Sequence, residues 1–335
     1  MKKCLFILLP LILLSFVSYG QKKRGFNPYA DYGAPKPKRS IFRVFLNQFT
    51  WSLSSGIGAT FYGATPENVL LARYNDQLYL SPGGGSYYNN WLNAPVSASI
   101  STVDSLTVNT SDNELKLRGV STSIPLNFSV HFDITRFRIG AGISAEYHRL
   151  PLITPNQQAN TLGSYQSDKS TSFFTRWYAM FGGKLYQFAD IHYYLDFNVG
   201  SMGYGAAFEK TAMQKGLFFN LGVPIEYEMS EYFRLFVRPT LEFKNYTINL
   251  GDNYPLAVSQ PAFYFQMGIR YNIPDTPRCP IKSCETQLKH QHKHLGSKEY
   301  RGQPFYKKQN PKIGQNYQKM HRNKNRNSRR IDGGY

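Results

Sequence analysis

The feature that most constrains this chain is a regular alternation of apolar and polar side chains between Val120 and Tyr147. In the first half the apolar residues fall on even positions: Val120, Ile124, Leu126, Phe128, Val130 and Phe132. After a short corner at 134–136 they fall on odd positions: Phe137, Ile139, Ala141, Ile143, Ala145 and Tyr147. A period of two predicts strands, because successive side chains of a pleated strand point to opposite faces. Each apolar face suits a tilted membrane strand of about 9–11 residues, so the segment is predicted to be a transmembrane hairpin.

The same alternation recurs in six further segments between residues 49 and 274, which gives eight predicted strands. They begin at Phe49, Phe173, Ile191, Leu217, Phe233 and Phe263. No segment after residue 20 has the roughly 18 consecutive apolar residues of a membrane helix. The fold class predicted for 49–274 is therefore all-β, an eight-stranded antiparallel transmembrane β-barrel.

The predicted connections alternate between short and long. Short joins are expected around Thr135, Ala189-Asp190 and Ser230-Glu231, and longer ones at roughly 64–114, 150–170, 206–214 and 249–259. Short periplasmic turns and long surface loops are typical of outer-membrane barrels, and they favour this class over a soluble β-sandwich. The pattern predicts an outer-membrane protein with both termini in the periplasm.

The two ends of the chain differ in composition from the middle. Residues 1–20 combine Lys2 and Lys3 with an apolar run and small residues at 18–20, as a secretory signal peptide does. The segment 21–48 carries a formal charge of +6, the tail 275–335 carries +11, and 49–274 carries −1. Basic periplasmic segments point to anionic lipid, peptidoglycan or acidic protein partners, and an exported chain rarely meets nucleic acid.

The last predicted strand ends in a polar-x-Gly-x-x-aromatic-x-hydrophobic pattern formed by Gln266, Gly268, Tyr271 and Ile273. This pattern resembles the signal by which barrel-assembly machinery recognises last strands. Residues 49–274 resemble the eight-stranded barrels of the OmpA/OmpX type, and the leader and aromatic richness resemble the Bacteroidota PorT/PorG-like barrels associated with type IX secretion. Those barrels usually end at the signal, whereas this chain continues for 62 residues.

The inner face of the predicted barrel is charged. Strand parity places these charged residues on it: Asp133, Glu146, Asp196, Glu226, Glu228, Glu242, Arg138, Arg176, Lys184, Arg234, Arg238, Lys244 and Arg270. It also places Tyr186 there. Buried charges are costly unless they are paired, and here the signs nearly balance. A packed ion-pair network that closes the lumen is therefore favoured over a selective pore or proton path.

One histidine could belong to a surface hydrolase. His148 lies near the outer end of the third strand, with Ser144 and Glu146 on the same face. Alternate residues of a strand are about 7 Å apart, so a structural histidine is favoured over a catalytic one. No nucleophile-elbow, zinc or phosphate-loop motif occurs, and no catalytic residue, cofactor or metal ligand is assigned.

Two further segments each allow two interpretations. The connection 64–114 contains Tyr74, Tyr79, Tyr87, Tyr88 and Trp91 beside a glycine run, and it suits either a contact surface or a lid over the barrel. The tail has little apolar content, and we expect it to be disordered or ordered by a partner. Its candidate partner-binding residues are Lys307, Lys308, Arg322, Lys324, Arg326, Arg329 and Arg330.

The tail also contains Cys279 and Cys284, with His290, His292 and His294 just beyond. In an oxidising compartment two nearby cysteines most simply form a local disulfide. The set also resembles a metal-binding tract, although its spacing matches no standard zinc pattern. The disulfide is favoured, and it would compete with a metal for the same sulfurs.

These observations favour a non-enzymatic accessory or scaffolding subunit of an outer-membrane complex, with a tail that binds a partner. Type IX secretion or motility and barrel assembly are the settings that the resemblance implies. The alternatives are a stand-alone barrel that tethers peptidoglycan and, less favoured, a lipid-modifying hydrolase.

Overall fold

The computed structural model describes residues 40–66, 70–74, 77–81, 104–107, 116–156, 165–166, 170–204, 213–214, 216–250, 254–296 and 298–310. Its elements are α1 (Ile41–Leu46), β1 (Phe49–Ala64), β2 (Leu70–Tyr74), β3 (Gln77–Ser81), β4 (Asp104–Thr107), β5 (Leu117–Ile134), β6 (Phe137–Arg149), β7 (Leu152–Pro155), β8 (Tyr165–Gln166), β9 (Thr171–Phe188), β10 (Ile191–Tyr204), β11 (Met213–Gln214), β12 (Leu217–Gly222), β13 (Ile225–Glu228), β14 (Phe233–Leu250), β15 (Tyr254–Ser259), β16 (Ala262–Asn272), β17 (His290–Gln291), a 3-10 turn (Lys293–Leu295) and β18 (Glu299–Tyr300). The predicted signal peptide, residues 21–39 and residues 311–335 lie outside the described residues.

Eight strand positions close into a ring in the order β1, β5, β6, β9, β10, β12 with β13, β14 and β16. Every pairing in this ring is antiparallel, and β1 bonds to both β5 and β16. At the seam the register runs from Thr50 opposite Asn272 to Thr60 opposite Ala262. A closed ring satisfies the backbone groups that an open sheet edge would expose. The predicted eight-stranded antiparallel barrel is confirmed.

The sixth position of the ring consists of two short strands because Pro224 interrupts it. Proline has no N–H to donate to a neighbouring strand. The carbonyl of Pro224 still accepts from Tyr194 N at 3.0 Å, and Val223 N donates to Pro239 O at 3.0 Å. The alternation therefore passes through the break, and β12 and β13 keep the same inner face.

The predicted long connection at 249–259 is wrong. β14 extends to Leu250, and β15 begins at Tyr254 and pairs with both β14 and β1. Gln260 N donates to Lys244 O at 2.7 Å, so the ladder continues towards β16. Pro255 lies opposite Asn249 in this ladder, and the carbonyl of Pro261 accepts from Phe61 N at 2.8 Å.

A β-bulge reverses the side-chain parity at the end of β9. Tyr193 faces Tyr186 and Tyr194 faces Lys184, which leaves Leu185 as the extra residue. Tyr186 was predicted to point inward, but its side chain is 61% exposed. The inserted residue turns it to the outer face.

The outer face of the barrel is an apolar belt. Its exposed members include Leu53, Ile57, Phe61, Ile124, Leu126, Phe128, Ile139, Ile143, Phe173, Trp177, Phe181, Phe197, Phe219, Leu221, Leu241, Phe263, Phe265, Met267 and Ile269. Soluble proteins rarely expose a contiguous apolar surface of this extent, and membrane barrels do so against lipid. The helices among the described residues include none long and apolar enough to cross a membrane.

The barrel has two distinct ends. At the short-turn end, named here for its tight connections, Thr135 and Ala189 have φ values of 53° and 50°, as two of the predicted corners require. At the opposite end the strands continue into extra pairings, with β7 on β5 and β8 on β7. Within the predicted loop 64–114, β2, β3 and β4 form a separate small sheet. The other predicted parts of that loop, including Trp91, lie outside the described residues.

A short apolar helix precedes the first strand at the short-turn end. Ile41 and Phe42 of α1 are 88% and 68% exposed. Behind the helix, Asn47 Nδ2 donates to the carbonyl of Ile273 at 2.7 Å, which ties the start of the barrel to its last strand. The segment 21–48, predicted only to be basic, therefore ends in an apolar turn beside the membrane-facing belt.

Candidate functional site: the barrel interior and the docked tail

A buried ion pair crosses the barrel interior between Glu146 on β6 and Lys244 on β14. These two strands occupy opposite positions in the ring. Lys244 Nζ lies 3.2 and 3.1 Å from the two Glu146 oxygens and 2.8 Å from the Tyr264 hydroxyl, which donates to Glu146 at 2.7 Å. The side chains of Glu146 and Lys244 are fully buried. The pair therefore joins opposite walls of the lumen.

Other charged groups complete this level of the network. Arg176 Nη2 lies 3.1 Å from Glu146, and Arg176 also contacts Glu242 and donates to Ser144 at 3.0 Å. Asn220 donates to the second oxygen of Glu242 at 2.9 Å. Two carboxylates thus meet two cations, and a third buried cation, Arg238, donates to Asn220 at 2.8 Å.

A second level lies nearer the short-turn end, around Glu226. Arg138 donates to Glu226 at 2.9 Å and to Asp133 at 3.1 Å, and Arg270 contacts the same Glu226 oxygen. Asp196 lies 3.7 Å from Arg138 and 3.4 Å from Arg270. Because both levels span the interior, the geometry favours the closed lumen over a pore.

The candidate catalytic histidine is part of this packing. His148 is fully buried, its Nε2 contacts the Tyr62 hydroxyl, and its Nδ1 lies 3.5 Å from Glu146. Ser144 faces Arg176 instead of His148. Among the described residues, His148 therefore contacts Tyr62 and Glu146 within the packed interior, as a structural histidine does.

The predicted assembly-signal residues divide between the two faces of β16 and its end. Gln266 is buried inside, where its oxygen accepts from Asn127 at 3.2 Å. Gly268 packs so closely on β1 that a Cβ would lie 2.3 Å from the Leu53 carbonyl oxygen. Tyr271 and Ile273 lie at the short-turn end, where Ile273 accepts from Asn47. In the folded chain these residues therefore help to close the barrel seam, and their recognition by assembly machinery stays a prediction.

The first part of the tail docks on the short-turn end of the barrel itself, whereas the tail was expected to be disordered or ordered by a partner. Asp275 accepts from the Tyr232 hydroxyl at 2.8 Å and lies 3.5 Å from Lys289 Nζ. The Lys289 ammonium stands 5.9 Å from the centre of the Tyr232 ring. Burial and the Asp275 carboxylate raise the pKa of Tyr232, so its hydroxyl stays a donor. Residues 275–310 are called the cap below.

The distal part of the cap binds two acidic turns. Lys308 Nζ lies 2.9 and 3.0 Å from the Asp190 oxygens, and its pKa is raised mainly by the hydrogen bond to Asp190. The backbone N–H of Gln309 donates to both oxygens of Glu231 at 3.2 and 3.1 Å. Among the predicted partner-binding residues, Lys308 is therefore held by the barrel itself, whereas Lys307 is exposed.

An aromatic contact secures the middle of this arrangement. The Phe305 ring packs edge-on against Phe233 at 5.8 Å and Tyr271 at 5.4 Å, and its carbonyl accepts from the Ser230 hydroxyl. The predicted residues Arg322, Lys324, Arg326, Arg329 and Arg330 lie outside the described residues. The cap therefore brings the chain to Asn310 at the rim of the barrel, just before that basic run.

Four potential metal ligands converge within the cap. The Sγ atoms of Cys279 and Cys284 and one ring nitrogen each of His290 and His292 all lie within 4.8 Å of one another. Both cysteines are free thiols, so the predicted disulfide between them is not formed in this structure. His294, grouped with them in the sequence, is not part of the cluster, and its ring stands 5.4 Å from that of His292.

Backbone pairing brings these distant residues together. β17 pairs with β18, so that His290 lies opposite Tyr300. Cys279 N donates to Arg301 O at 3.2 Å, which places the first cysteine beside the end of β18. Cys284 N bonds back to Ile281 O at 3.2 Å and closes a turn that returns the second sulfur to the first. Hydrogen bonds from Thr286 lower the pKa of the Cys284 thiol, which favours the thiolate.

Comparison with known proteins found matches among solved structures only. No family model matches the chain, and no curated protein does either. Among solved structures, Neisserial surface protein A is similar over 65% of this chain and 98% of its own, at 8% identity and a TM-score of 0.33. OprG from Pseudomonas aeruginosa is similar over 66% of this chain and 94% of its own, at 7% identity and a TM-score of 0.33. AlkL, solved in lipid bilayers, is similar over 67% and 90%, at 13% identity and a TM-score of 0.33.

The closed ring, the apolar exterior and the paired charges inside define this protein as a small transmembrane β-barrel. Its particular feature is the cap with its cysteine–histidine cluster on the short-turn end.

Proposed function

We propose that this protein is a non-enzymatic outer-membrane subunit that presents a basic segment to a partner at the periplasmic membrane surface. The observation that carries the proposal is the docking of the cap on the short-turn end. The docked residues end at Asn310, directly before a stretch rich in Lys and Arg, residues 311–335. A rigid attachment before a basic segment holds that segment close to the membrane, where an anionic partner can meet it.

The interior of the barrel supports a binding role over transport. Two levels of ion pairs cross the lumen, and Glu146 and Lys244 join opposite strands. An eight-stranded barrel has an interior just wide enough to be filled by side chains. The buried His148 likewise supports a structural part in that packing over hydrolysis.

We place the short-turn end, and with it both basic segments, in the periplasm. Short turns face that side in outer-membrane barrels. The resemblance of the sequence to PorT/PorG-like barrels makes a type IX secretion or motility complex the leading setting, with barrel-assembly machinery second. The partner would present an acidic surface, because the tail carries a formal charge of +11.

Affinity purification in mild detergent tests this proposal. A chain that stops after Asn310 keeps the cap and removes only the basic segment, so it separates partner binding from barrel stability. The full chain is expected to retain partners in fixed proportion, and the shortened chain is expected to lose them. A full-length variant with Arg322, Lys324, Arg326, Arg329 and Arg330 changed to Gln should lose them too.

The alternative of peptidoglycan tethering is an outcome of the same experiment. If both chains purify alone, but only the full chain sediments with purified peptidoglycan, the tail binds the cell wall without a protein complex. If the two chains capture the same proteins and sediment equally with peptidoglycan, the proposal that the basic segment binds a partner is wrong.

A further inference from the structure

We propose that Cys279, Cys284, His290 and His292 form a structural zinc site that holds the cap together on the barrel. The site lies outside the membrane-spanning strands, and the proposal goes beyond the function proposed above. It rests on the convergence of four donor atoms, on their chemistry and on the weak apolar core of the cap.

The distances match those expected around one tetrahedral zinc ion. Cys279 Sγ lies 3.2 Å from His292 Nε2, Cys284 Sγ lies 3.3 Å from His290 Nε2, and the two Nε2 atoms are 3.0 Å apart. Zn–S bonds of about 2.3 Å and Zn–N bonds of about 2.0–2.1 Å in a tetrahedron give S···N and N···N separations of roughly 3.3–3.6 Å. Small shifts of the ligands would thus admit the ion without moving the backbone elements.

The orientation of His290 supports ligation through Nε2. Its Nδ1 lies 2.9 Å from the carbonyl oxygen of Leu288, which can only accept a hydrogen bond. Nδ1 therefore carries the proton, and the lone pair of Nε2 is available on the side of Cys284 Sγ and His292. A backbone carbonyl on the far ring nitrogen is the usual second contact of a zinc-bound histidine.

The donor set identifies the class of metal and its role. Two thiolates with two imidazoles suit Zn²⁺, whereas Mg²⁺ and Ca²⁺ prefer oxygen ligands. Two thiolates also balance the charge of the divalent ion. Four protein ligands leave no open position for a substrate or water, so the site is structural instead of catalytic.

The cap needs such a centre because it buries little apolar surface. Among its described residues, Tyr300 is buried at 8% exposure, whereas Leu288, Phe305 and Tyr306 are 49%, 36% and 45% exposed. Segments below about 40 residues usually need a metal, a disulfide or a partner to fold. Zinc would join the cysteine turn to β17, while contacts such as Lys308 with Asp190 fasten the result to the barrel.

The competing chemistry is the disulfide, which would remove both thiolates that zinc requires. A sulfur bound to zinc is in turn less readily oxidised than a free thiolate, because it donates electron density to the metal. The two states differ in metal content and in mass, so they are readily distinguished.

The test measures zinc in the full-length protein, purified from outer membranes in detergent without chelator. The native chain should contain about one zinc per chain, and the Cys279→Ser/Cys284→Ser variant should contain less than about a tenth of that. His290→Gln/His292→Gln should lose zinc similarly. His294→Gln is the matched control, since this neighbouring histidine lies outside the cluster, and it should keep the native content.

A second measurement follows the cap itself. Adding a strong chelator should make the segment 275–310 sensitive to trypsin, and adding Zn²⁺ should restore its resistance, while the mobility of the unboiled barrel on a gel stays unchanged. In the double cysteine variant, zinc should have no such effect. Both readouts are independent of partner capture, so their failure is distinct from failure of the function proposed above.

Three results would overturn the zinc site. The first is a native mass lower by two hydrogen atoms with a peptide linking Cys279 to Cys284. The second is a zinc-free protein with both thiols free. The third is a zinc content that is the same in the native chain and the double cysteine variant.

Discussion

Replacing Lys244 with Met is expected to destabilise the barrel strongly. In the native protein Glu146 and Glu242 face Lys244 and Arg176, so two negative charges meet two positive ones. Without the ammonium, two fully buried carboxylates share one guanidinium. Breaking a buried ion pair on one side costs about 3–5 kcal/mol, and a pair near 4 Å at an effective dielectric constant of about 20 is worth a similar amount.

The double variant Glu146→Gln/Lys244→Met separates unpaired charge from lost packing. It leaves Glu242 paired with Arg176, so no buried carboxylate loses its cation. We expect it to recover most of the stability, with a remaining loss of about 1 kcal/mol. Lys184→Met is the matched control, because this lysine bonds to Gln187 at the exposed short-turn rim, and its loss should cost less than about 1 kcal/mol.

The assay is reversible urea unfolding in lipid vesicles or detergent, followed by tryptophan fluorescence. Trp51 and Trp177 on the barrel wall report the transition. Free energies of unfolding for the single, double and control variants give the comparison. A loss below about 1 kcal/mol for Lys244→Met would refute the argument, since a water-filled lumen would screen the charges.

Further predictions concern conduction, the seam, the cap and pH. The native barrel in a planar bilayer should show no steady open-channel current, and a sustained current at neutral pH would contradict a closed interior. Gly268→Ala should impair barrel closure, measured by the heat-dependent shift on a gel, because its Cβ would meet the Leu53 carbonyl at 2.3 Å; Gly63→Ala, with its nearest contact at 3.9 Å, should close normally. Tyr232→Phe should increase trypsin cleavage of the cap severalfold by removing the 2.8 Å bond to Asp275, and equal rates would argue against that bond. The pKa of Tyr232 is raised in the folded state, so its hydroxyl should contribute fully to the stability of the folded protein below pH about 10. This stabilisation should fall as pH rises above that value, and Tyr232→Phe should not show this pH dependence.

Most of the barrel could be predicted because membrane strands obey one local rule. Each side chain faces either lipid or the interior, so parity alone assigned Trp177 to the outside and Arg176 to the inside. The rule failed where the backbone departs from strict alternation. The extra residue Leu185 turned Tyr186 outward, and β15 lies where a long connection was predicted.

Strand parity could not predict which of the interior charges pair with each other. Parity shows that Glu146 and Lys244 point inward, but their contact depends on the ring order and on the stagger between strands. The two residues are 98 positions apart in the chain. Only the closed ring determines which charges meet across the lumen.

The fold of the cap could be predicted from the local sequence even less, because it depends on the barrel turns formed by other parts of the chain. Its low apolar content predicted disorder or ordering by a partner, and in isolation that composition gives little driving force for folding. The turns of the barrel supply the acidic hydrogen-bond partners that hold the segment in place. Asp190 receives Lys308 from 118 positions away, and Glu231 receives the Gln309 backbone.

The docking of the cap on the barrel also bears on the proposed binding of a partner by the basic tail. The acidic turns neutralise only the beginning of the basic tail, since Lys308 is bound and the Lys- and Arg-rich residues 311–335 follow. If the zinc site or the contacts of Asp190 and Glu231 fail, the basic segment is tethered at Ile273 instead of near Asn310, which adds roughly 37 residues of flexible chain. Lengthening a flexible tether lowers the effective concentration of the bound segment at a fixed partner site approximately as the −3/2 power of its length. Loss of the cap should therefore weaken partner capture even when every basic residue is present. A Cys279→Ser/Cys284→Ser protein whose cap is cleaved by trypsin but which captures partners at native strength would show that the docked cap is not needed to position the tail.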